Sequence, residues 1–326
     1  MARLGHEVAE FDTAAYYDHG PSIAARIRLR TLWGPTVARL NDDLLAAAQR
    51  YRPEVIWFDK PLYVRPATVG RLRAQGAYTV HFTIDNPFGP RGDPGWRLIR
   101  AAIPFYDLHL VQRDVNLVDY RAAGARAVRL FRTAYEPTIH FPPPAAWSDA
   151  DRINDVVYIG APYDQRPQFM IDLWRRCGLP VRIWGAPTWN DALPADARAA
   201  LWQGSELWND DYRTMIWRSR MCLAFVTHSN CDDVAHKSFE IAAAGGVLLA
   251  EDTPGHRAHF AAESEALFFS SVDDCAAQIR RALPDQALRD RLGRAAAARA
   301  VASGYGNDAR IAEVLDDVAR ALATAP

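Results

Sequence analysis

The sequence predicts an α/β protein with two doubly wound parallel-sheet domains, and three observations support this prediction. Short apolar runs typical of buried parallel strands alternate with helical patterns along the chain. A proline-rich stretch, residues 137–148, divides this pattern into halves of similar size. With 326 residues and 49% hydrophobic composition, the chain can bury two cores. We therefore expect domains at 1–145 and 146–326, with a cleft between them.

The first half carries four apolar runs, and helical spacing precedes or separates them. The expected strands are 54–59, 78–84, 108–112 and 127–131. The expected helices are 36–51, 64–75 and 113–123.

The second half repeats the alternation with five runs. The expected strands are 155–160, 181–184, 221–227, 247–250 and 266–270. The expected helices are 165–177, 211–220, 234–244 and 272–283. From Asn307 onward, apolar residues keep helical spacing on one face, which predicts a terminal amphipathic helix packed on one of the domains.

The start of the chain has an unusual pattern for such a domain. Residues 4–11 are typical of a last helical turn, a cap at Gly5 and then a strand. In a doubly wound domain this pattern follows a first strand and helix, and the first strand is usually central. We therefore expect the N-terminal domain to lack its first strand and helix, with the natural start about 30 residues upstream.

Charge, hydrophobicity and cysteine usage exclude several classes. The net charge of -1 argues against a nucleic-acid partner. The sequence contains no apolar stretch long enough for a transmembrane helix, and its N-terminus does not resemble a secretion signal. The four cysteines are far apart without metal-ligand spacing, which predicts neither disulfides nor zinc and favours the cytoplasm.

The segment 222–254 indicates where a ligand would bind. It has the pattern of a strand, a polar loop, a short helix ended by glycines, and another strand. Ligands of open α/β sheets collect at the carboxyl ends of strands, and a helix N-terminus there favours an anion such as a diphosphate. The loop residues His228 and Asn230 are candidates to contact a sugar or are turn residues, and Asp232 or Asp233 could cap the helix.

An ordered set of motifs in the second half resembles a known family. The motifs are residues 156–163, 182–185, the run Lys-Ser-Phe-Glu-Ile-Ala-Ala-Ala-Gly-Gly at 237–246, and Gly-Tyr-Gly at 304–306. Together they resemble the CgeB-like, spore-maturation-type glycosyltransferases of the group 1 glycosyl transferases. The resemblance covers about 153–320; in the first half it is confined to 83–87. It implies the GT-B architecture: two Rossmann-like domains, the donor nucleotide held mainly by the second, and a last helix that crosses back to the first.

The resemblance also implies roles for two carboxylates. Glu240 matches the second glutamate of an E-x7-E motif, which accepts hydrogen bonds from the donor ribose; alternatively, it only favours the helix N-terminus through the dipole. The first glutamate of the motif is Asp232 in this chain, one methylene shorter. Asp232 therefore acts on the donor sugar or caps the helix, and the family-level expectation is retention of anomeric configuration.

Five further residues are candidates for the donor site. Lys237 and Ser238 lie in the first helical turn, where a cation and backbone amides would neutralise a diphosphate; the alternative for Lys237 is a solvated surface position. Gly160 permits close approach of a ligand to the backbone, and Arg166 could reach a phosphate. Trp184 is a candidate wall for the nucleobase or a core residue.

The first half contains a further candidate catalytic residue and a candidate membrane-contact segment. Asp85 follows the strand 78–84, where it could act as a base or orient the acceptor, or form a turn before Pro87. Residues 23–40 mix basic and apolar side chains, which indicates peripheral membrane contact or an ordinary packed helix. The residues of that mixture are Arg26, Arg28, Arg30, Arg39, Ile27, Leu29, Leu32 and Trp33.

The sequence therefore predicts a cytoplasmic, metal-independent hexosyltransferase. Its co-substrate would be a nucleoside-diphosphate sugar with no other cofactor, and its acceptor a hydroxyl of a glycan, a lipid-linked molecule, a protein or a small molecule. The chain has no metal-binding Asp-x-Asp loop and no dinucleotide fingerprint. Two alternatives stay open: a nucleotide-sugar epimerase on the same fold, and a non-catalytic nucleotide-sugar-binding or scaffold protein.

Overall fold

The chain forms two compact units in a computed structural model. The structure describes residues 1–16, 23, 27, 30–90, 92–132 and 134–324. Unit 1 takes in the described residues of Met1–Arg132, Ser229–Cys231 and Ile311–Pro326, and unit 2 the remainder. This division falls earlier than the boundary predicted at residue 145, and it assigns the end of the chain to unit 1.

Unit 1 is built on a four-stranded parallel sheet in the order β1-β2-β3-β4. The strands are β1 Val55–Asp59, β2 Tyr78–Phe82, β3 Leu108–Val111 and β4 Val128–Leu130. The helices are α1 Pro35–Tyr51, α2 Pro66–Ala74, α3 Trp96–Ala102 and α4 Asp114–Ala122. Helices α1 and α2 begin with proline, whose fixed φ suits the first helical position.

A buried amide ties α1 to the segment that opens α2. Asn41 is 3% exposed, and its Nδ2 donates to the carbonyls of Val37 and Tyr63. Its Oδ1 accepts from the Arg65 N–H and the Thr68 hydroxyl. Because both ends of this amide are satisfied, a polar side chain is tolerated within an apolar core.

Unit 2 is built on a six-stranded parallel sheet in the order β10-β9-β8-β5-β6-β7. The strands are β5 Asn154–Ile159, β6 Arg182–Trp184, β7 Trp202–Gly204, β8 Ser219–Ala224, β9 Leu248–Glu251 and β10 Leu267–Phe269. The helices up to β8 are α5 Arg166–Cys177, α6 Trp189–Ala192, α7 Ala195–Leu201 and α8 Asn209–Trp217. The later helices are α9 His236–Ala243, α10 Pro254–His259, α11 Val272–Ala282, α12 Gln286–Ala302 and α13 Asn307–Thr324.

The strand order of unit 2 reverses between β5 and β8. From β5 the chain proceeds outward through β6 and β7, then returns to β8 and proceeds outward the other way. This is the order of a doubly wound Rossmann sheet, whose ligands bind beyond the carboxyl ends of the strands at the reversal. A ligand of this sheet is therefore expected at the loops that follow β5 and β8.

The last helix, α13, begins in unit 2 and belongs to unit 1 from Ile311 onward. Its buried residues Val314 and Val318 pack in one cluster with Val80, Leu108 and Leu110 of the unit 1 sheet. The apolar face predicted after Asn307 is therefore confirmed, as is the return of the last helix to the first domain.

Several elements differ from the sequence-based expectations. Gly5 caps a short 3-10 helix, Ala2–Leu4, in a left-handed conformation as expected, but no strand follows it in residues 6–12. Strand β7 and the helices α3, α6, α7, α10 and α12 were not predicted. In α12 the buried face carries large apolar side chains only in its first half, at Leu288 and Leu292, and continues with small residues such as Gly293, Ala296 and Ala300, so its apolar periodicity is weak.

The structure describes only part of the basic segment 23–40. Arg26, Arg28 and Leu29 lie outside the described residues. Trp33 is 74% exposed. No helix in the described ranges is both long enough and apolar enough to cross a membrane.

Candidate functional site

A pocket opens in unit 2 at the carboxyl ends of β5, β6 and β7 and beside α9. Every lining residue belongs to unit 2. The lining residues are His140, Ile159, Gly160, Ala161, Gly185, Glu206, Leu207, Trp208, Asn209, Tyr212, Lys237 and Glu240. Three predicted site residues, Gly160, Lys237 and Glu240, are therefore brought together at the reversal of strand order.

Two glycines form one side of the pocket. Gly160 follows β5, and its carbonyl accepts a hydrogen bond from Trp189 Nε1 at 2.7 Å. A Cβ atom on Gly185 would overlap that carbonyl oxygen, and a Cβ on Gly160 would lie 2.7 Å from the Tyr158 hydroxyl. Any larger residue would force the two backbones apart, so both positions need glycine.

Helix α9 presents its N-terminus without a side-chain cap of its own. The N-cap residue is Ala235, and no side chain at that position accepts a hydrogen bond. The prediction that Asp232 or Asp233 caps this helix is therefore wrong, because the helix begins at His236 and Ala235 occupies the N-cap position. The first-turn N–H groups of a helix lack partners within the helix, so this end favours a negative charge.

Glu240 is the anionic centre of the pocket. It is the fifth residue of α9, in the second turn rather than the first, and its side chain is 15% exposed. Its Oε1 accepts from His236 Nε2 at 2.9 Å, and His140 Nε2 lies 3.8 Å from the same oxygen. Burial raises the pKa of this carboxyl, but His236, Lys237 and His140 outweigh that effect and lower the pKa to about 2.

His140 reaches the pocket from the proline-rich segment. Its neighbours are anchored on both sides: Arg213 donates to the Ile139 carbonyl at 2.9 Å, and Trp217 Nε1 to that of Phe141 at 3.0 Å. Its Nδ1 accepts from the Glu136 N–H, so the neutral ring carries its proton on Nε2, facing Glu240. Burial lowers the pKa of His140, which favours this neutral form.

The ammonium of Lys237 points into the same space. Its Nζ lies 4.7 Å from the centre of the Tyr212 ring, and its Cε is 3.4 Å from where a Cβ on Gly160 would be. Among the residues that the structure describes, this ammonium makes no hydrogen bond or ion pair. Burial lowers the pKa of Lys237, although the Glu240 carboxylate opposes this effect.

Tyr212 lines the pocket beneath Lys237. It is 5% exposed, and its hydroxyl has no hydrogen-bond partner within the described ranges. Burial raises the pKa of this hydroxyl well above its usual value, and the Glu240 charge raises it further. The tyrosine therefore stays neutral, with its hydroxyl beside the Glu240 carboxylate.

Ser238, predicted to bind the donor, does not line the pocket. It is fully buried, and its Oγ lies 2.9 Å from Nε2 of His256. Its hydroxyl is thus engaged inside unit 2.

Arg166 is also engaged by the protein. Its guanidinium donates to the Tyr158 hydroxyl at 3.0 Å, the Val226 carbonyl at 3.0 Å and the Thr227 hydroxyl at 2.8 Å. The side chain joins the start of α5 to the loop after β8 and does not line the pocket. This placement gives no support to the predicted phosphate contact.

Trp184 and His228 also lie outside the pocket lining. Trp184 ends β6 and packs against the apolar cluster beside β8 and β9. His228 is exposed, and its Nε2 lies 2.6 Å from Glu251 Oε1. Their roles as nucleobase wall and sugar contact remain predictions.

The remaining predicted residues do not join the pocket. Asp85 forms an ion pair with Lys60 in unit 1, at 2.6 Å. Asn230 is counted in unit 1, where its Oδ1 accepts from the Asn86 N–H at 2.8 Å. Asp232 lies in the loop before α9, and its N–H donates to the Thr227 carbonyl. The roles predicted for these three residues stay predictions.

The sequence analysis missed His140, Tyr212 and the pocket segment Glu206–Asn209. His140 and Tyr212 lie in the linker stretch and in α8, outside the recognised motifs, and neither carries a local sequence signal. The segment 206–209 follows the short unpredicted strand β7, which would have marked it as a loop at a carboxyl end. Across the described ranges, no group of three or more His, Cys, Asp or Glu side chains is placed to hold a metal ion.

Comparison with known proteins supports the assignment of the fold. Residues 165–316 match a family model described as glycosyl transferase-like. No curated protein matches the chain in sequence. The family match includes α9 with Lys237 and Glu240, and it leaves out unit 1 apart from the loop 229–231 and the first residues of α13 that belong to it.

Solved structures match over nearly the whole chain. Sucrose-phosphate synthase from Thermosynechococcus elongatus is 14% identical, with a TM-score of 0.67 over 95% of this chain and 83% of its own. Anabaena HepE, solved with UDP and glucose, is 14% identical, with a TM-score of 0.64 over 86% and 82%. A UDP-forming α,α-trehalose-phosphate synthase from Burkholderia xenovorans is 15% identical, with a TM-score of 0.61 over 89% and 79%. The chain therefore has the GT-B fold of two parallel-sheet α/β domains, and its second half is similar to the glycosyl transferase-like family.

Proposed function

We propose that this chain is a glycosyltransferase that moves a hexosyl group from a nucleoside-diphosphate sugar to an acceptor hydroxyl. The observation that carries the proposal is Lys237, a largely buried ammonium that faces the pocket without a hydrogen bond or ion pair among the described residues. Burial disfavours the charged form of Lys237, and an anion bound beside the ammonium would favour it.

The anion is best explained as a diphosphate. Lys237 stands beside the N-terminus of α9, whose free N–H groups and dipole add positive potential. Gly160 and Gly185 line the same pocket, and the backbone around them is packed closely. As the bond to the sugar breaks, charge builds on the leaving diphosphate, and these groups would stabilise it without a metal ion.

Glu240 suits the ribose of the same donor. Its low pKa keeps it ionised at neutral pH, and both histidine contacts engage Oε1. A carboxylate has four acceptor positions, so Glu240 can accept further hydrogen bonds from vicinal hydroxyls. The distance along α9 from Lys237 to Glu240 is one turn, which matches the order of diphosphate and ribose in a nucleotide.

The comparisons support a nucleotide donor. Anabaena HepE was solved with UDP and with UDP-glucose, and the trehalose-phosphate synthase is described as UDP-forming. We propose a UDP-sugar as first candidate, a CgeB-like enzyme type, and retention of configuration, with Asp232 in place of the usual first glutamate. The acceptor is a hydroxyl of a glycan, lipid-linked molecule, protein or small molecule, and no further cofactor is required.

Calorimetric titration tests the donor assignment. The wild type would be titrated with UDP-, GDP-, dTDP- and ADP-linked sugars, together with Glu240→Gln and the matched control Glu263→Gln at an exposed ion pair. We expect one nucleotide to bind wild type and control alike, and to bind Glu240→Gln at least about tenfold more weakly. Equal affinity of all three proteins would refute the ribose contact.

A second assay separates the enzyme from its alternatives. The protein is incubated with the bound donor, with and without an acceptor panel, and the products are analysed by mass spectrometry and NMR. Transfer that depends on an acceptor supports the proposal. Isomerised sugar without an acceptor identifies an epimerase, and binding without turnover identifies a non-catalytic protein.

A further inference from the structure

A buried histidine outside the pocket holds the start of α9. His256 lies in α10, which follows β9, and is 0% exposed. Its Nδ1 is 2.7 Å from the Glu251 carbonyl oxygen. Its Nε2 is 2.9 Å from Ser238 Oγ and 3.2 Å from the Ala235 nitrogen. The imidazole therefore bridges the end of β9 and the first turn of α9.

These contacts determine which ring nitrogen carries the proton. A carbonyl oxygen only accepts, so Nδ1 must be the N–H donor toward Glu251. In the neutral ring Nε2 is then an acceptor, and it receives the Ser238 hydroxyl proton and the Ala235 N–H. Burial lowers the pKa of His256 to about 4, which keeps this neutral form at physiological pH.

The bridge replaces the missing cap of α9. Ala235 is the N-cap and has no side chain that can accept a hydrogen bond, whereas His256 accepts from its N–H instead. The neighbouring Gly255 allows the close approach, because a Cβ there would overlap the Asp233 carbonyl. The first turn of α9 is thus fixed from outside the helix, at a place packed too tightly for another residue.

We propose that His256, acting through Ala235 and Ser238, is a positioning residue that fixes the first turn of α9 for donor binding. This rests on the proposed function, since the groups it orients are Lys237 and Glu240. Ser238 and Lys237 are neighbours on the helix, so holding Ser238 on the buried side fixes the direction of Lys237 toward the pocket. Neither His256 nor Ser238 touches the donor.

Two substitutions separate the halves of the bridge. His256→Asn keeps an amide N–H where Nδ1 donates to Glu251, but removes the acceptor for Ala235 and Ser238. His256→Gln places an amide oxygen near Nε2 and keeps that acceptor. Using UDP and GDP as probes, we expect Asn to weaken binding about tenfold and Gln by less than about threefold, because only Asn leaves both donors unsatisfied.

Hydrogen exchange without nucleotide gives a readout independent of the donor. In His256→Asn we expect faster amide exchange confined to 236–243, with the β5 and β8 amides unchanged. Ser238→Ala removes one of the two donors and provides a milder variant if His256→Asn does not fold; we expect about threefold weaker binding. A role in stability alone would lower the melting temperature of the variants and leave nucleotide affinity and α9 exchange as in wild type, which overturns the proposal.

The two proposals fail in different ways. If wild type binds neither UDP nor GDP, the proposed donor function is in error, and exchange at 236–243 alone decides whether His256 anchors the helix. If wild type binds nucleotide and folded His256→Asn binds it equally well, the positioning role is refuted while the donor site stands.

Discussion

Two buried polar clusters, one in each unit, differ in whether their side chains are ionised. In unit 1, His81 and His109 lie 3.2 Å apart through their Nδ1 atoms, packed against Tyr106 and Tyr120. Burial lowers the pKa of both histidines and raises the pKa of both tyrosines. This cluster is neutral at physiological pH, as a buried structural cluster should be.

The pocket cluster of unit 2 keeps its charges instead. Glu240 stays ionised with a pKa of about 2, and Lys237 remains without a hydrogen bond or ion pair in the described ranges. The pocket of unit 2 therefore keeps ionised side chains in a buried place where the cluster of unit 1 has only neutral ones. The comparison teaches that charge kept in a buried place, more than the number of polar groups, distinguishes a candidate site from a packed core.

The largest expected effect concerns acid stability of the pocket cluster. The pKa of Glu240 is lowered from 4.5 to about 2, so it contributes stability that is present above pH 4.5 and lost as pH falls toward 2. The full contribution is about 3 kcal/mol. Urea unfolding at pH 5 and pH 3.5 should show a smaller decline for Glu240→Gln than for wild type. An equal loss of stability in wild type and Glu240→Gln would contradict the assigned ion cluster.

An effect of similar size is expected in unit 1, at a different pH. The pKa of His109 is lowered by burial from 6.5 to about 4, so in this range the unfolded chain binds a proton that the folded chain does not. Stability should therefore fall as pH drops from 6.5 toward 4, by about 3 kcal/mol. The His109→Gln variant keeps an amide donor toward the Ile103 carbonyl. It should be less stable than wild type at pH 7, but its free energy of unfolding should change less between pH 6.5 and 4. If the free energy of unfolding of the wild type did not change between pH 6.5 and 4.5, this prediction would be contradicted.

Lys237→Met sharpens the comparison by removing the unpaired charge. We expect UDP affinity to fall about 30-fold, since a charge-assisted contact is lost. The free protein should lose about 1 kcal/mol of stability, because the ammonium no longer helps to keep the buried Glu240 carboxylate ionised. Calorimetry and thermal unfolding of the same preparations measure both quantities. A variant that loses stability while it keeps its affinity would indicate a structural lysine.

The smallest effect is expected at Lys60, the only other lysine of the chain. Its ammonium is paired with Asp85, and its side chain is 38% exposed. Lys60→Met should change the free energy of unfolding by less than about 1 kcal/mol and leave UDP affinity unchanged. This variant is the control for Lys237→Met, and a comparable loss of affinity in both would remove the distinction between the two lysines.

Much of the fold could be predicted because buried parallel strands are short apolar runs that need no long-range information. Helix α12 was not predicted, because after Leu292 its buried face continues with small residues such as Gly293 and Ala296, which give little apolar periodicity. The GT-B fold is confirmed by the comparisons, whereas the CgeB-like subtype stays a prediction.

The candidate site was predictable only where a local motif carried it. Lys237 and Glu240 lie three residues apart and share one face of α9, while Ser238, one residue on, is rotated onto the buried side. Spacing therefore reveals which residues share a face, but the direction of that face is set by packing. His140 and Tyr212 come from distant segments, and only the tertiary structure brings them to Glu240.

The return of α13 to unit 1 has a consequence for biosynthesis. Val314 and Val318 cover Val80, Leu108 and Leu110, yet about 200 residues separate them in order of translation. Domains generally fold as they emerge, N-terminal first. Here the first sheet must wait for the last helix to leave the ribosome before its apolar surface is covered. Until α13 has been synthesised, unit 1 therefore exposes the apolar surface formed by Val80, Leu108 and Leu110.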